Sequence, residues 1–338
     1  MLRRNFIHKT TIAAALSGLG TTAFAQSGFQ DQKSSNSAFF KLRYGPSFGT
    51  FNELAGKDPI DQIKFCNDQG FRAMFDNGFM GRPVEEQGKI VAEIARLNMK
   101  LGPFVLYADF SKESMVIKDN DVRQMLVDKV KAGVEICQRA GLKWALMVPG
   151  RFNEHLDWGY QTANVIDILR ELSDIALQGG LTIVLEPLNK RDHPGLFLTG
   201  MAQAYAICRG VNSPACKIVD DLYHQQITEG NLIPNIEACW SEIAAFHLGD
   251  NPGRKEPGTG EINFSNVFKF IHSKGYDDVL CMEHGRILKG KEGELALIEA
   301  YRKADSYYGS DYFDFVIHID ILTVQFRKTE NEQSRRMG

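Results

Sequence analysis

From about Lys41 onwards, short apolar runs alternate along the chain with longer stretches of mixed polarity. Each run is apolar nearly throughout, which is typical of a strand that is buried on both faces of a parallel sheet. The pattern predicts eight strands, at Leu42–Phe48, Phe71–Phe75, Lys100–Leu106, Leu142–Val148, Leu181–Leu185, Cys216–Asp220, Ala244–Leu248 and Val279–Met282. Both faces of such a sheet must be covered by other elements.

The stretches between these runs carry apolar residues at helical spacing, most clearly over Asn120–Ala140 and Thr162–Leu177. Each strand and its helix take about 33 residues, and one strand–helix–strand unit needs about 30. Eight such units predict a single-domain α/β fold, a (β/α)₈ TIM barrel over residues 41–308. An open doubly wound sheet is the alternative, but the first strand leads into G-P-S-F-G rather than a G-x-G-x-x-G turn.

Composition excludes several classes of protein. Apolar residues make up 43% of the chain and charged residues 24%, which is ordinary for a globular protein and excludes a largely disordered chain. The formal net charge of -3 leaves no basic excess for a nucleic-acid backbone, so we expect no nucleic-acid partner. The six cysteines are scattered without a C-x-x-C pair, and we expect them in the core rather than in disulfides.

The N-terminus has the three parts of an export signal. Arg3 and Arg4 precede a weakly apolar stretch that is shorter than the roughly 20 residues needed to span a bilayer. A small-residue site, A-F-A, follows at residues 23–25. The R-R-x-F-I pattern, with Lys9 close behind, resembles a twin-arginine signal, and a Sec signal is the alternative. We expect residues 1–25 to be cleaved, giving a periplasmic or otherwise exported protein with no membrane association.

Two further segments fall outside the predicted barrel. Residues 26–40 are polar and short of large apolar groups, which indicates a linker. Residues 309–338 contain a β-like apolar run and a charged end, although the eighth helix has already completed the barrel. We assign this C-terminal tail no chemistry.

Chemistry-bearing side chains follow the last four predicted strands. Glu186, Asp221, His247 and Glu283 are separated by about one strand–helix unit each, so four neighbouring strands would bring them to one point. Three carboxylates and one imidazole suit Mg²⁺ or Mn²⁺, with Co²⁺ as an alternative. Asp220 competes with Asp221, because strand neighbours point to opposite faces. The remaining histidines that lack this phasing are expected outside the site: His155, His193, His272 and His284.

Four motifs resemble the hydroxypyruvate isomerase family, which belongs to the xylose-isomerase-like barrels. They are E-P-L-N from Glu186, D-L-Y-H-Q-Q from Asp221, H-L-G-D-N-P-G-R-K-E-P-G-T-G-E-I-N from His247 and M-E-H-G from Met282. The resemblance covers about residues 41–307, and the third motif is its most specific part. It implies a divalent metal held by Glu186, Asp221, His247 and Glu283, with Glu186 and Glu283 as proton donor and acceptor.

The resemblance implies a metal-dependent isomerase that works through an enediolate, for example converting hydroxypyruvate to tartronate semialdehyde. A cation would stabilise the enediolate while carboxylates move the proton. His224 and Arg254 are expected to bind the substrate, and Arg254 could pair with a carboxylate. The alternative for Arg254 is a charge on a surface loop. Loop glycines Gly253, Gly258 and Gly260 would let the Arg254 loop fold over the site.

One position departs from the family pattern and leaves the substrate open. Hydroxypyruvate isomerases commonly have Gln where His247 stands, whereas related ketose epimerases and sugar isomerases have His. The alternatives are therefore a related keto acid or sugar as substrate, a ketose 3-epimerase, or an exported non-catalytic sugar-binding barrel. A multi-zinc endonuclease would need more strand-end histidines and a basic groove. The expected partner is a small hydroxy-carbonyl compound, and a homo-oligomer is left open.

Overall fold

The computed structural model describes residues 38–307 of the 338-residue chain. The predicted signal peptide at 1–25, most of the predicted linker at 26–40 and the tail at 309–338 lie outside the described residues. Phe40, assigned to the linker, is buried: its ring packs on Phe71 and its N–H donates to the Gly70 carbonyl. The barrel therefore begins before Lys41, because the Phe40 ring is part of its core.

The apolar runs form parallel strands close to their predicted positions. Among the described residues the strands are β1 (Arg43–Pro46), β2 (Ala73–Met74), β3 (Lys100–Leu101), β4 (Phe104–Tyr107), β5 (Trp144–Met147), β6 (Thr182–Leu185), β7 (Cys216–Asp221), β8 (Ile243–Leu248) and β9 (Val279–Met282). The third predicted strand is divided between β3 and β4 at Gly102-Pro103. Pro103 has no N–H for a ladder, and Gly102 passes so close to β9 that a Cβ there would lie 2.7 Å from Cys281 Sγ.

The strands curl into a closed ring. Seven of them form one parallel sheet in the order β1-β9-β8-β7-β6-β5-β4, and β2 pairs with β3. Backbone hydrogen bonds continue the ring between β1 and β4: Phe75 N–H donates to Pro46, Gly102 N–H to Met74 and Val105 N–H to Asn77. The predicted (β/α)₈ barrel is confirmed.

Helices cover the outside of the sheet. They are α1 (Asn52–Ala55), α2 (Pro59–Asp68), α3 (Val84–Arg96), α4 (Asn120–Ala140), α5 (Trp158–Gln178), α6 (Met201–Val211), α7 (Leu222–Thr228), α8 (Leu232–Cys239), α9 (Phe264–Ser273) and α10 (Gly290–Ala304), with short 3₁₀ turns at Phe79–Gly81 and Trp240–Glu242. Helix α4 has its predicted bounds, with Asp119 capping its first turn and Gly141 in the left-handed region after its last. Helix α5 begins one turn earlier than predicted. The sequence pattern missed this first turn because Trp158 and Tyr160 are exposed and do not continue the apolar face of the helix.

The last helix is fixed to the first strand. Tyr44 of β1 donates its hydroxyl to Asp305 Oδ1 at 2.9 Å, and Lys41 N–H donates to Asp305 Oδ2 at 2.8 Å. The Tyr44 ring also packs against Phe268 and Tyr301. All six cysteines are buried and free, as expected. No helix within residues 38–307 combines the length and apolarity needed to cross a membrane.

Candidate active site

The four predicted metal ligands meet at the carboxyl ends of four consecutive strands. Asp221 ends β7 and stands opposite His247 of β8 in the parallel ladder. Glu186 directly follows β6, and Glu283 directly follows β9. Because parallel strands end at the same rim of a barrel, one residue per strand is enough to bring these side chains together.

The donor atoms of this cluster lie within 4.8 Å of one another. His247 Nδ1 is 3.1 Å from Glu186 Oε1 and 2.9 Å from Glu283 Oε2. Glu186, Asp221 and His247 are buried, and the Glu283 side chain is 24% exposed. The cluster is thus open to solvent mainly on the side of Glu283.

Asp221 and Asp220 have opposite surroundings. Asp221 Oδ1 accepts the backbone N–H groups of Tyr223 and His224 and caps α7, which leaves Oδ2 directed into the cluster. Asp220 is fully buried, and neither of its oxygens has a hydrogen-bond partner among the described residues. Burial, with the nearby charges of Asp221 and Glu229, raises the pKa of Asp220 well above its usual value. Asp221 is the member of the pair that faces the site.

The charges of the cluster depend on one another. Burial raises the pKa of Glu186 to about 7, and the charges of Glu283 and Asp221 add to this against the attraction of His247. Burial also acts to raise the pKa of Glu283, but attraction and hydrogen bonding from His247, followed by Arg254, lower it to about 2. Burial would lower the pKa of His247, yet the two glutamates raise it well above the ordinary value. Three carboxylates in this space therefore require compensating positive charge.

A divalent cation fits this donor set. Three carboxylates and one imidazole nitrogen converge within 4.8 Å, and a cation among them would supply the positive charge that the buried carboxylates need. Oxygen-rich sites of this kind favour Mg²⁺, Mn²⁺ or Co²⁺, whereas zinc prefers more nitrogen or sulfur. The residues placed to hold such an ion are those that the sequence singled out.

Arg254 reaches the cluster itself. Its Nη2 donates to Asp221 Oδ2 at 2.7 Å and to Glu283 Oε2 at 2.9 Å, and its guanidinium lies 5.1 Å from the centre of the Tyr223 ring. The sequence placed Arg254 in a loop facing the substrate, and the structure adds direct contact with two of the proposed ligands. The backbone of Arg254 has a φ of 51°, in the left-handed region.

The loop that carries Arg254 is held by a buried carboxylate. Asp250 Oδ2 accepts the N–H groups of Gly258 and Gly260, and Asp250 Oδ1 accepts that of Ile262. Gly260 has no space for a side chain, because a Cβ would lie 2.2 Å from the Asn251 carbonyl oxygen. The glycines expected to let this loop fold thus allow the backbone to wrap around Asp250.

His224 lies beside Asp221 and is buried. Its Nε2 is 3.6 Å from Asp221 Oδ2 and has no hydrogen-bond partner among residues 38–307, whereas its Nδ1 is 2.6 Å from Asn189 Nδ2. Burial lowers the pKa of His224 to about 4, so the ring is neutral near pH 7. A neutral imidazole with one nitrogen aimed into the site is suited to hydrogen-bond a substrate oxygen.

Two residues near the site were not singled out by the sequence analysis. Asn77 Nδ2 donates to Glu283 Oε1 at 2.6 Å. Asn77 follows the predicted strand Phe71–Phe75, so the strand-end rule applied to strand two would have found it. His193, expected outside the site, has its ring centre 5.3 Å from that of His224. The loop after β6 carries it there, and spacing along the chain gave no signal for this position.

Comparisons with known proteins agree with this fold. The sequence pattern of the xylose isomerase-like TIM barrel family matches residues 63–303. Hydroxypyruvate isomerase of Escherichia coli (strain K12) is 31% identical over 157 residues, which are 46% of this chain and 61% of that protein. The 2-oxo-tetronate isomerase of Cupriavidus necator is 31% identical over 139 residues, 41% of this chain and 53% of that protein. The chain thus matches little more than half the length of these relatives.

Solved structures share the architecture. The crystal structure of AP endonuclease, family 2, from Brucella melitensis superimposes with a TM-score of 0.64 at 24% identity, over 75% of this chain and 96% of that chain. Similarity at this level of identity establishes the fold alone. The family pattern covers well over half of the chain, including all four clustered residues. The chain therefore belongs to the xylose isomerase-like TIM barrel family.

Proposed function

We propose that the protein is a divalent-metal-dependent isomerase of a small hydroxy-carbonyl compound. The observation that carries this proposal is the convergence of Glu186, Asp221, His247 and Glu283 within 4.8 Å at the carboxyl rim of the barrel. The similarity to hydroxypyruvate and 2-oxo-tetronate isomerases supports the same class of substrate. Hydroxypyruvate, with tartronate semialdehyde as product, is the first reaction to test.

The proposed chemistry moves a proton between neighbouring carbons. Glu186 and Glu283 both approach His247 Nδ1, so two carboxylates border the same small space. One carboxylate removes the proton next to the carbonyl, and the other returns a proton to the adjacent carbon. Asn77 holds one oxygen of Glu283 and leaves the other directed into the site.

The proposed metal ligands are Glu186, Asp221, His247 and Glu283, and Mg²⁺, Mn²⁺ or Co²⁺ matches them. A bound divalent cation would polarise the substrate carbonyl and stabilise the negative charge of the enediolate. Asp221 directs Oδ2 into the cluster, where Arg254 also contacts it, because its other oxygen is engaged by the first turn of α7. His247 presents Nδ1 to the same point.

Two further side chains are proposed to bind the substrate. His224 directs Nε2 into the site next to Asp221 and can hydrogen-bond a carbonyl or hydroxyl oxygen. Arg254 brings a guanidinium to Asp221 and Glu283, where it can also meet the carboxylate of an acid substrate. An acid substrate would therefore have its carboxylate near Arg254 and its carbonyl near Asp221.

A ketose 3-epimerase is the second candidate, favoured by one residue. His247 stands where hydroxypyruvate isomerases commonly have Gln, and related epimerases have His there. Both reactions use two carboxylates, so the cluster serves either. A non-catalytic sugar-binding barrel is the third candidate, and the presence of all four clustered side chains speaks against it.

A substrate panel tests the proposal. Metal-replete protein is incubated with hydroxypyruvate, 2-oxo-tetronates and free ketoses, and the products are identified by NMR. We expect the carbonyl of a hydroxy-keto acid to move to the neighbouring carbon, which gives an aldehyde from hydroxypyruvate and a 3-oxo acid from a 2-oxo-tetronate. Epimerised ketose as the main product would select the second candidate, and binding without any product would select the third. A preparation in which Asp221 is replaced by Ala controls for contaminating enzymes.

A further inference from the structure

We infer that Asn189 fixes the tautomer of His224, placing the ring proton on Nε2 and making His224 a hydrogen-bond donor in the site. Asn189 is thus a positioning residue that acts through His224. The nature of the acceptor, a substrate oxygen, rests on the proposed function. The tautomer itself is a property of the protein and can be tested without any substrate.

The orientation of the Asn189 side chain is determined by the backbone that follows it. Asn189 Oδ1 accepts the N–H of Arg191 at 3.0 Å and the N–H of Asp192 at 2.9 Å. Rotating the amide by 180° would place its NH₂ group against these two donors. The amide nitrogen must therefore point the other way, where it donates to Asp192 Oδ2 at 3.0 Å and approaches His224.

This orientation of Asn189 determines whether His224 Nδ1 carries a proton or a lone pair. Asn189 Nδ2 is 2.6 Å from His224 Nδ1, and the backbone N–H of Asn189 points at the same atom from 3.4 Å. Two donors facing one ring nitrogen require a lone pair on that nitrogen. Turning the ring over would set a carbon against both donors. A neutral imidazole with a lone pair on Nδ1 carries its proton on Nε2.

A network of neighbours holds this arrangement in place. Tyr223 donates its hydroxyl to Asp192 Oδ2 at 2.8 Å, and Asp192 also accepts from Asn189. His224 is only 1% exposed, so water has little access to its ring. The chain of contacts leads from the backbone N–H groups at 191 and 192 through Asn189 to Nδ1 of His224.

The other ring nitrogen is left for a partner that residues 38–307 do not supply. His224 Nε2 is buried without a hydrogen-bond partner among them, and its nearest acidic oxygen, Asp221 Oδ2, is 3.6 Å away. A buried N–H without an acceptor is destabilising. A carbonyl or enediolate oxygen beside Asp221 would satisfy it. A nitrogen that carries a proton cannot also act as a base, so this leaves proton removal to Glu186 and Glu283.

NMR measures the tautomer directly. The full chain is prepared with ¹⁵N-labelled histidine, and the His224 signals are identified by their loss in the His224→Gln variant. Long-range ¹H–¹⁵N correlations at neutral pH distinguish a protonated ring nitrogen from an unprotonated one. We expect an unprotonated Nδ1 and a protonated Nε2. A protonated Nδ1 in the unsubstituted protein would overturn the inference.

Asn189→Asp changes the tautomer with little change of shape. A carboxylate at this position can still accept the two backbone N–H groups, but it presents an acceptor to His224 Nδ1 and so draws a proton there. It also removes the donor to Asp192 Oδ2, so the NMR signals of His224 decide the result rather than turnover alone. We expect the NMR signal of a protonated Nδ1 and a fall in kcat of about 10²–10³-fold, the range for losing one donor to a developing oxyanion. Asn120→Asp makes the same charge change at an exposed helix terminus and should leave both signals and turnover unchanged.

A double substitution separates positioning from a general disturbance of the site. Glutamine at 224 can still donate through its NH₂ group but has no tautomers, so His224→Gln should retain part of the activity. In that background, Asn189→Asp should cost far less than it costs in the parent protein. An equal cost in both backgrounds would show that Asn189 does not act through His224. If NMR finds the Nε2 proton and no substrate is isomerised, the proposed function fails while the tautomer assignment stands.

Discussion

Asp220 and Asp221 are adjacent in sequence, yet only Asp221 directs an oxygen into the cluster. Strand alternation required this difference, and the structure fixes which of the two faces inward. We predict that Asp221→Ala lowers Mn²⁺ affinity by at least about 10–100-fold, because the loss of residues that merely support a ligand already costs that much. Asp220→Asn, which keeps the shape of a buried side chain, should change the Mn²⁺ affinity much less. Isothermal titration calorimetry measures the Mn²⁺ affinity of both variants. A larger loss of affinity in Asp220→Asn than in Asp221→Ala would contradict the inward orientation of Asp221.

The two glutamates allow a sharper test of proton transfer. Glu186→Gln and Glu283→Gln keep the side-chain size and one oxygen but remove the base. Loss of general-base catalysis costs about 10²–10⁴-fold, so each variant should lose at least two orders of magnitude in kcat while remaining folded by circular dichroism. Steady-state kinetics at saturating Mg²⁺ measures kcat for each variant and for the unsubstituted protein. Retained turnover in a metal-loaded variant would remove that glutamate from the mechanism.

Asn77 provides a test of a contact that only the structure revealed. Its side chain donates to Glu283 Oε1 at 2.6 Å and so fixes which way the carboxylate points. Asn77→Ala should reduce activity or metal affinity by about 10–100-fold, the usual effect of releasing a metal ligand from its support. Asn120→Ala, at an exposed position far along the chain, serves as the control. If Asn77→Ala has the same kinetics and Mn²⁺ affinity as the unsubstituted protein, Glu283 does not need the hydrogen bond from Asn77.

At the level of elements, the hydrophobic pattern located the strands better than it located their interruptions. The run Lys100–Leu106 reads as one strand because every residue but one is apolar or small. It breaks at Gly102-Pro103 because Pro103 lacks an N–H and Gly102 must pass close to Cys281. Such a break depends on a neighbour distant in sequence, and single-sequence periodicity carries no information about that neighbour.

Alanine substitutions at two glycines test how closely Gly102 packs against β9. Gly102→Ala adds a Cβ 2.7 Å from Cys281 Sγ, and overpacking of this kind costs about 1–3 kcal/mol of unfolding free energy. Gly88→Ala lies in the exposed middle of α3 with open space around it, and should raise the unfolding free energy by up to about 1 kcal/mol. Urea unfolding curves compare the two variants. A Gly102→Ala protein as stable as Gly88→Ala would contradict the close approach of Gly102 to β9.

At the scale of the whole molecule, regular repetition made the barrel and the four-residue cluster predictable. One chemistry-bearing residue at each of four successive strand ends needs only spacing and the rule that parallel strands share a rim. The contacts of Asn189 and His193 could not be foreseen in this way. They depend on side-chain rotamers and on loop paths, which are set by tertiary packing rather than by the local pattern.

Export is a further proposal for the whole chain, made from residues outside the described range. Removal of residues 1–25 would take away Arg3, Arg4 and Lys9 and no acid, so the mature protein would be more acidic than the precursor. We propose that mature protein begins at Gln26 outside the cytoplasm. Replacing both arginines with lysine should keep the precursor inside the cell, as measured by fractionation and N-terminal sequencing. Normal export of that variant would contradict the twin-arginine proposal and leave a Sec signal.

The central claim is that Glu186 and Glu283, together with a divalent metal, move a proton between adjacent carbons of a hydroxy-carbonyl substrate. Solvent deuterium tests it most directly. Mg²⁺-loaded protein in D₂O is followed by NMR with hydroxypyruvate, 2-oxo-tetronates and ketoses, before and after EDTA treatment and again after Mg²⁺ is restored. We predict that at least one substrate is isomerised and that deuterium appears, at least in part, on the carbon that receives the proton. EDTA should stop both events and Mg²⁺ should restore them. Undiminished turnover in EDTA, or no deuterium and no isomer from any substrate on the metal-loaded protein, would contradict the account.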